Sequence, residues 1–407
     1  MRLLIYSIQY APEFTSNAVV ITGLAEQLAA RGHQVTVLAG TPHYQLPSVP
    51  PGYAWRLFRR EVRNGVKVIR CWAFSKSEGK IAKFLNYASF TATSFVAGLF
   101  TVRPEAVMVV SPPFWLACNA LLLRTFRRCT VIYNVQDLFP EAYLASQEVR
   151  PGRVACCMSR LATRIYRAVD RITVITESFA RAITARGVDF GKVFIIPNFV
   201  DTAAVTPLAR NNSFRRRHSL DDKFVVMYAG NVGYTHGTEL LVEAAAKLQT
   251  INGLLFLIIG GGSKRADLVD LARARRLSNM AFLPTQPREV LAEMLAAADV
   301  FVLTCKPGVG KTSFPGRIYN CLLAARPVVA SYDEDSDLSR FLRRAGAGMV
   351  TAPGNVEDFC QAVSTLYYDA ALRERLGHSA AEFMAREYSP QAVVEQYETL
   401  LKGLAVR

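Results

Sequence analysis

A glycine-rich loop and the cations around it make Thr304–Ala330, TCKPGVGKTSFPGRIYNCLLAARPVVA, the stretch of this chain best equipped for chemistry. The apolar run Val300–Leu303 before it reads as a strand, Arg317 to Ala325 as a helix, and Pro327–Ala330 as the next strand. A strand feeding a loop that opens a helix is where α/β proteins place phosphate. The unpaired N–H groups of the first helical turn and the helix dipole both favour an anion there. Lys306, Lys311 and Arg317 add full positive charges to that geometry. Gly310-Lys311-Thr312 also ends like a triphosphate-binding P-loop. That pattern, however, needs a glycine where Cys305 stands, and Pro315-Gly316 interrupts the helix that should run straight on. A plain connecting loop with exposed lysines is the third reading.

The elements that must position this stretch follow from length and patterning. A chain of 407 residues suggests two or three domains with ample core. Residues 1–200 hold 24 Lys+Arg against 11 Asp+Glu, whereas the remaining 207 hold 24 against 22. One half is strongly basic and the other nearly neutral, so the halves are expected to face different partners. No nucleic-acid recognition motif accompanies the basic residues, and nucleic acid is not an expected partner. The 8 cysteines lack metal-ligand spacing, and a strand begins at once at Met1-Arg2-Leu3-Leu4 without a signal peptide. Reduced cytosolic thiols acting as small apolar residues are expected.

Strand and helix alternate along the chain. Leu3–Ile8, Val35–Ala39, Ala106–Val110, Val131–Val135, Arg171–Ile175 and Val193–Ile196 read as strands, with a hairpin near Val66–Cys71. Ser16 or Asn17 is expected to cap the first helix, which runs to about Arg31, and Phe114–Phe126 reads as an apolar helix. Polar Thr206–Asp222 reads as a linker, and the break between two domains, where limited proteolysis would cut, is expected near Pro197–Asp222. The plan then restarts. Phe224–Ala229 enters Gly230-Asn231-Val232-Gly233, and Leu254–Ile259 enters Gly260-Gly261-Gly262 before Lys264-Arg265. Short βα loops of this kind predict two doubly wound α/β sheets.

Several motifs spread in order over nearly the whole chain carry a family resemblance. They are Tyr10-Ala11-Pro12-Glu13, Gly32-His33-Gln34-Val35-Thr36-Val37, Val135-Gln136-Asp137-Leu138-Phe139-Pro140-Glu141 and Ile196-Pro197-Asn198-Phe199-Val200-Asp201. Tyr228-Ala229-Gly230-Asn231-Val232-Gly233, Ala297-Ala298-Asp299 and Arg326-Pro327-Val328-Val329-Ala330 complete the set. Together they resemble a GT-B glycosyltransferase of glycosyltransferase family 4, nearest the bacterial exopolysaccharide branch with the colanic-acid fucosyltransferase and the O-antigen aminofucosyltransferases. The resemblance implies an α/β fold of two Rossmann-like domains facing across a cleft. Residues 1–200 would form the acceptor side, 201–390 the donor domain, and a helix from about 391 to 407 would pack back on the first. It further implies a nucleotide-diphosphate-sugar donor, retention of anomeric configuration, a polyprenyl-linked glycan acceptor, and neither cofactor nor required metal.

This chain departs from the family pattern at the positions that matter most. Two glutamates eight residues apart are replaced by Thr312 and Asn320, and the usual Arg and Lys after the first C-domain strand by Asn231 and His236. Thr15-Ser16-Asn17 stands where a glycine loop is usual, and Pro315-Gly316-Arg317 where Pro-Ser-Lys is. The cationic role is therefore expected to pass to Lys311 and Arg317, with Thr312 and Ser313 completing a diphosphate cradle. Gly230, Asn231, Gly233, His236, Gly260, Gly261, Gly262, Lys264, Phe314 and Asn320 are the other donor candidates, although the glycines could serve only their turns. Asp137 and Glu13 are candidate acceptor-side carboxylates, with Ser16, Asn17 and Gln136 beside them; Asp137 could equally be a helix cap. A nucleotide-sugar epimerase, a P-loop phosphotransferase and an inactive glycan- or nucleotide-binding module remain open alternatives.

Phe84–Val102 carries no charge for 19 residues, between Lys80, Lys83 and Arg103. Asn86 and repeated Ser and Thr weaken a membrane span, for which roughly 18 residues suffice. A core helix and a helix lying on an anionic membrane surface are the alternatives. The basic first half favours the latter, and with it a cytoplasmic protein bound peripherally to the inner face of the membrane.

Overall fold

The structure is a computed structural model and describes residues 1–13, 15–43, 49, 52–53, 56–75, 79–145, 152–199, 207–311 and 314–404. The chain divides into two compact units, Met1–Val200 with Pro390–Arg407, and Asp201–Ser389.

The first unit is built on eight strands: β1 Arg2–Ser7, β2 Gln34–Gly40, β3 Phe58–Arg63, β4 Val66–Cys71, β5 Ala106–Val110, β6 Thr130–Val135, β7 Arg171–Val174 and β8 Val193–Ile195. Their order is β3-β4-β2-β1-β5-β6-β7-β8, parallel except for the β3–β4 hairpin. Central strands such as β5 are buried along their whole length, which is why they read as unbroken apolar runs. Helices cover both faces. Ser16–Ala30 and the terminal Pro390–Lys402 pack on one, through Leu24, Val394 and Leu401 among others. Lys80–Leu99, Ala117–Arg127, Arg153–Ala168 and Glu177–Thr184 pack on the other. The terminal helix is pinned by Arg31 Nη1 to Glu398 at 2.9 Å and by Asn134 Nδ2 donating to Tyr397 Oη at 2.8 Å. His33 Nε2 meets the same Glu398 at 3.4 Å, so this histidine closes the first helix and ties it to the last.

The cap of that first helix is Thr15, whose Oγ1 accepts from Ala18 N at 3.1 Å, rather than Ser16 or Asn17. Cys156 and Cys157 are exposed, contrary to the expected apolar use; five of the other six cysteines are buried. No helix among the described residues is long and apolar enough to cross a membrane. The Lys80–Leu99 helix instead buries Asn86, Phe90, Ser94 and Ala97 and exposes Ile81, Phe84, Leu85 and Val96.

The second unit has six parallel strands: β9 Phe224–Ala229, β10 Leu254–Ile259, β11 Met280–Leu283, β12 Val300–Thr304, β13 Val328–Ser331 and β14 Gly348–Thr351. Their order is β11-β10-β9-β12-β13-β14. The chain winds outward from β9 in one direction and from β12 in the other, so the topological switch point lies between those two strands.

Residues 207–222 are not a linker. Ser213–Arg217 is a short helix, and Arg215 within it is fully buried. Its guanidinium donates to the carbonyls of Ala297 (2.9 Å), Leu220 (2.7 Å) and Lys223 (2.9 Å) and to Asp299 Oδ2 (2.5 Å). Polar composition suggested an exposed segment, but these charges are consumed inside the unit.

Candidate functional site

A cavity of about 300 Å³ opens at the switch point, beyond the carboxyl ends of β9, β12 and β13. Gly230, Asn231, His236 and Arg317 line it, together with Thr304, Cys305 and Tyr332, which sequence reasoning missed. Each of those three sits at or just past the end of a buried strand, which is the signal that could have found them.

Arg317 is the cation of this cavity. Its guanidinium lies 4.6 Å over the Tyr228 ring, and Nη1 donates to Tyr228 Oη at 2.8 Å. Nε is buried without a partner. Tyr228 Oη in turn donates to the carbonyl of Asn231 at 2.6 Å, which ties the arginine to the turn it serves. His236 Nδ1 is likewise buried and unpartnered. Burial, and then the Arg317 charge, hold this imidazole below the usual histidine range, so it is neutral at pH 7.

The two glycine turns interlock above this pair. Val232 N donates to Gly261 O at 2.8 Å, and Lys264 N to Val232 O at 2.9 Å. Gly260 has φ 139°, and a Cβ there would lie 2.1 Å from the Gly230 carbonyl oxygen. At Gly262 a Cβ would meet Val232 O at 2.3 Å, and at Gly230 it would meet Arg317 Nη1 at 2.4 Å. Gly261 has space around it. Gly260→Ala is expected to destabilise the protein by about 3 kcal/mol through backbone strain and overlap. Urea unfolding checks this; an unchanged midpoint would mean that the turns part without cost.

The remaining donor candidates are elsewhere. Lys311 is exposed, and its ammonium is 3.0 Å from Asp335. The amides of Gly308 and Gly310 both donate to Asp333 Oδ2, at 3.1 Å. This loop already holds an anion of its own, so the Gly308 and Gly310 amides are taken from the predicted cradle around Lys311 and from the P-loop reading. Lys264 pairs with Asp267 at 2.7 Å and lies over Tyr234. Phe314 packs against Tyr319 and Phe341, as part of an aromatic cluster rather than the cavity. Asn320 is half-buried in the Arg317–Leu323 helix; Gly233 is the exception, inside the cavity-lining turn, where a Cβ would meet Asn231 Nδ2 at 3.0 Å and His236 Nδ1 at 3.2 Å. Thr312 and Ser313 lie outside the described residues.

In the first unit, Glu13 is buried, and its Oε1 accepts from His43 N at 2.9 Å. The His43 ring sits 3.8 Å from the same oxygen, between Thr41 O at 2.8 Å and Asn86 Nδ2 at 3.1 Å. The geometry makes Nδ1 the protonated nitrogen and Nε2 the acceptor. Asp137 is exposed just past β6. Gln136 is spent within the protein: its amide donates to Asn134 Oδ1 at 2.6 Å, and its oxygen accepts from Asn198 Nδ2 at 2.7 Å. Asn17 is half-buried in the first helical turn; the Ser16 side chain lies outside the description. Among the described residues no group of three or more His, Cys, Asp or Glu is placed to hold a metal ion.

Comparison with known proteins agrees with this architecture. Residues 18–198 match the glycosyl transferase 4-like domain and residues 210–383 the glycosyl transferases group 1 family. The colanic acid biosynthesis glycosyl transferase WcaI of Escherichia coli K12 is 27% identical over 99% of this chain and 100% of its own. The alpha-D-kanosaminyltransferase of Streptomyces kanamyceticus is 31% identical over 49% of this chain and 50% of its own. Among solved structures, sucrose-phosphate synthase from Thermosynechococcus elongatus superposes with a TM-score of 0.75 at 18% identity, over 100% of this chain and 99% of that one. Anabaena HepE in complex with UDP and glucose gives 0.70 at 15% identity, over 98% and 99%. Two parallel-sheet units matching two glycosyltransferase domains in order place this chain in the glycosyltransferase family of GT-B fold.

Proposed function

We propose that the chain is a retaining glycosyltransferase of bacterial surface or exopolysaccharide synthesis, moving a sugar from a nucleotide-diphosphate donor to a hydroxyl of a polyprenyl-linked glycan. The cavity of the second unit carries this reading: among the described residues that line it are one guanidinium and a neutral imidazole, and no carboxylate. Such a lining suits a departing diphosphate, whose negative charge grows as the sugar C1–O bond breaks. The acceptor oxygen bonds to C1 on the same face, and its proton passes to the leaving phosphate oxygen. Glu13, Asp137 and Asn17 are the acceptor-side groups in this scheme, the two carboxylates in the segments that follow β1 and β6 and Asn17 in the first turn of the Ser16–Ala30 helix. The polysaccharide assignment is supported by WcaI and by the lipopolysaccharide core glycosyltransferase LpsE of Rhizobium meliloti.

A thermal-shift screen of GDP-, UDP- and dTDP-sugars, run in EDTA because no metal is required in this scheme, tests the donor assignment. One sugar nucleotide should raise the Tm; a screen with no response would remove it.

The membrane-bound acceptor is supported by an apolar, basic surface on the first unit. Phe84 lies 6.0 Å from Trp115, and Ile81, Phe100 and Phe126 are each more than 70% exposed. Exposed Lys83, Arg103 and Arg128 are their neighbours in sequence, whereas Arg124 is paired with Asp170 and Arg127 is bonded to the Leu99 carbonyl. The protein is proposed to sit peripherally on the cytoplasmic face through this surface. It is expected to co-sediment with phosphatidylglycerol vesicles and to release them as salt rises, with Phe84→Asp and Phe100→Asp each binding several-fold less. Equal binding to neutral vesicles, or none to either, would contradict the surface assignment.

A further inference from the structure

We propose that the free edge of the second sheet is a docking groove for an acidic, extended peptide segment of a partner protein. β11 ends the six-stranded order, so one side of its backbone meets no strand among the described residues. Phe256 N donates to Asn279 O at 2.9 Å and Gly260 N to Leu283 O at 3.1 Å, with Phe256 opposite Met280 and Ile258 opposite Phe282. Residues 279, 281 and 283 therefore direct their amide groups at β10. The N–H and C=O of Met280 and Phe282 point the other way, as an unfilled half of a ladder.

Beside that edge, a groove of about 590 Å³ runs between β11 and the Arg265–Ala274 helix. Val269, Ala272, Leu277 and Phe282 supply apolar lining, and Arg265, Arg273 and Arg276 supply charge. An extended segment added to β11 would satisfy the open backbone groups while its alternate side chains enter this groove.

Charge selects the occupant. Arg276 has no carboxylate partner among the described residues, and Arg273 has only an exposed contact of 3.8 Å with Asp270. Arg265 Nε is buried and without a hydrogen bond. Arg276 also holds a left-handed backbone conformation, φ 53°, a position where glycine is the ordinary choice and a long cation is not. A second copy of this chain would bring the same three arginines to the same edge and be repelled. A lipid surface would leave the Met280 and Phe282 amides unpaired. An acidic strand answers both features. The groove begins at Arg265, next to the Gly260–Gly262 turn, so an occupant would press on the helix that follows a donor-side turn.

The probe is a fluorescein-labelled peptide of alternating Glu and Val, about nine residues long, with a Lys-Val peptide as control. Fluorescence anisotropy with the full-length chain should show salt-sensitive binding of the acidic peptide and at least tenfold weaker binding of the basic one. The Arg273→Glu/Arg276→Glu double variant should lose at least tenfold. Met280→Pro removes one outward N–H at an edge where proline is tolerated, and should lose a similar factor. Circular dichroism melts confirm that both variants fold. Three results would overturn the proposal: no binding to the wild type at low salt, unchanged binding by folded Met280→Pro, or displacement of the peptide by anionic vesicles or an oligonucleotide acting through the same arginines.

Discussion

Arg317→Ala is expected to weaken binding of a nucleoside diphosphate by about 1.5–3 kcal/mol, the range for a hydrogen bond to a charged group. That is roughly a ten- to hundredfold rise in Kd, read by calorimetry on folded protein. The corresponding monophosphate should be affected less, because the guanidinium answers the charge of the phosphate that leaves. Lys306 is exposed beside the cavity-lining Cys305 but is not part of that lining, and the other two lysines are engaged: Lys311 is turned to Asp335 and Lys264 to Asp267. Lys311→Ala is therefore the internal contrast, with an expected change below about 0.5 kcal/mol, as for an exposed pair. Arg317→Lys keeps the charge but loses the planar fork over Tyr228 and should be intermediate. His236 supplies a second readout. Its ring is held neutral by burial and by Arg317, so removing the arginine lifts one of those two pressures. The pKa then moves up toward the ordinary histidine value, and diphosphate binding by Arg317→Ala should recover partly as pH falls below that value. An unchanged diphosphate affinity in Arg317→Ala would take this cavity out of the donor site.

The parts of this architecture that sequence could reveal are those in which one residue's chemistry suffices. Buried parallel strands such as Ala106–Val110 announce themselves as apolar runs, and the glycines after β9 and β10 mark backbone that approaches other backbone. What stayed hidden depends on partners far along the chain. Lys311 looks like a phosphate ligand until Asp335, 24 residues on, takes its charge. Gly308 and Gly310 look like a cradle until Asp333 fills it. Phe314 stands beside the cations in sequence, yet it turns into a ring cluster with Tyr319 and Phe341. Glu13 was legible from its motif, but His43, which donates its amide to that carboxylate, lies 30 residues away in a segment without pattern. Arg317 lines the cavity at the start of the helix after a buried strand, a position legible in the sequence. Its anchoring on Tyr228 could not be read, because that contact spans 89 residues.

Asp299→Ala is expected to cost about 3–5 kcal/mol of stability, the usual penalty for leaving a buried charge without its partner. Asp299 is 8% exposed, and its carboxylate receives Arg215 Nη2, Val225 N at 2.8 Å and the Arg210 guanidinium. Burial pushes the pKa of the Arg215 guanidinium down, and Asp299 beside it pulls the other way. Alanine removes that opposition and leaves the arginine charged, with no water to reach it and an orphaned strand amide at Val225. Arg215 cannot turn away, because three backbone carbonyls hold its other donors. Asn at position 299 keeps the shape and one acceptor, and should lose less. Arg215→Met relieves the charge but strands those carbonyls, so it too should destabilise. These residues lie at the amino ends of β9 and β12, the opposite end from the cavity. Variants that remain folded at low temperature should accordingly keep nucleotide affinity while the urea midpoint of the second unit falls. A midpoint unchanged in Asp299→Ala would show that residues 207–222 are dispensable to the fold, as their polar composition first suggests.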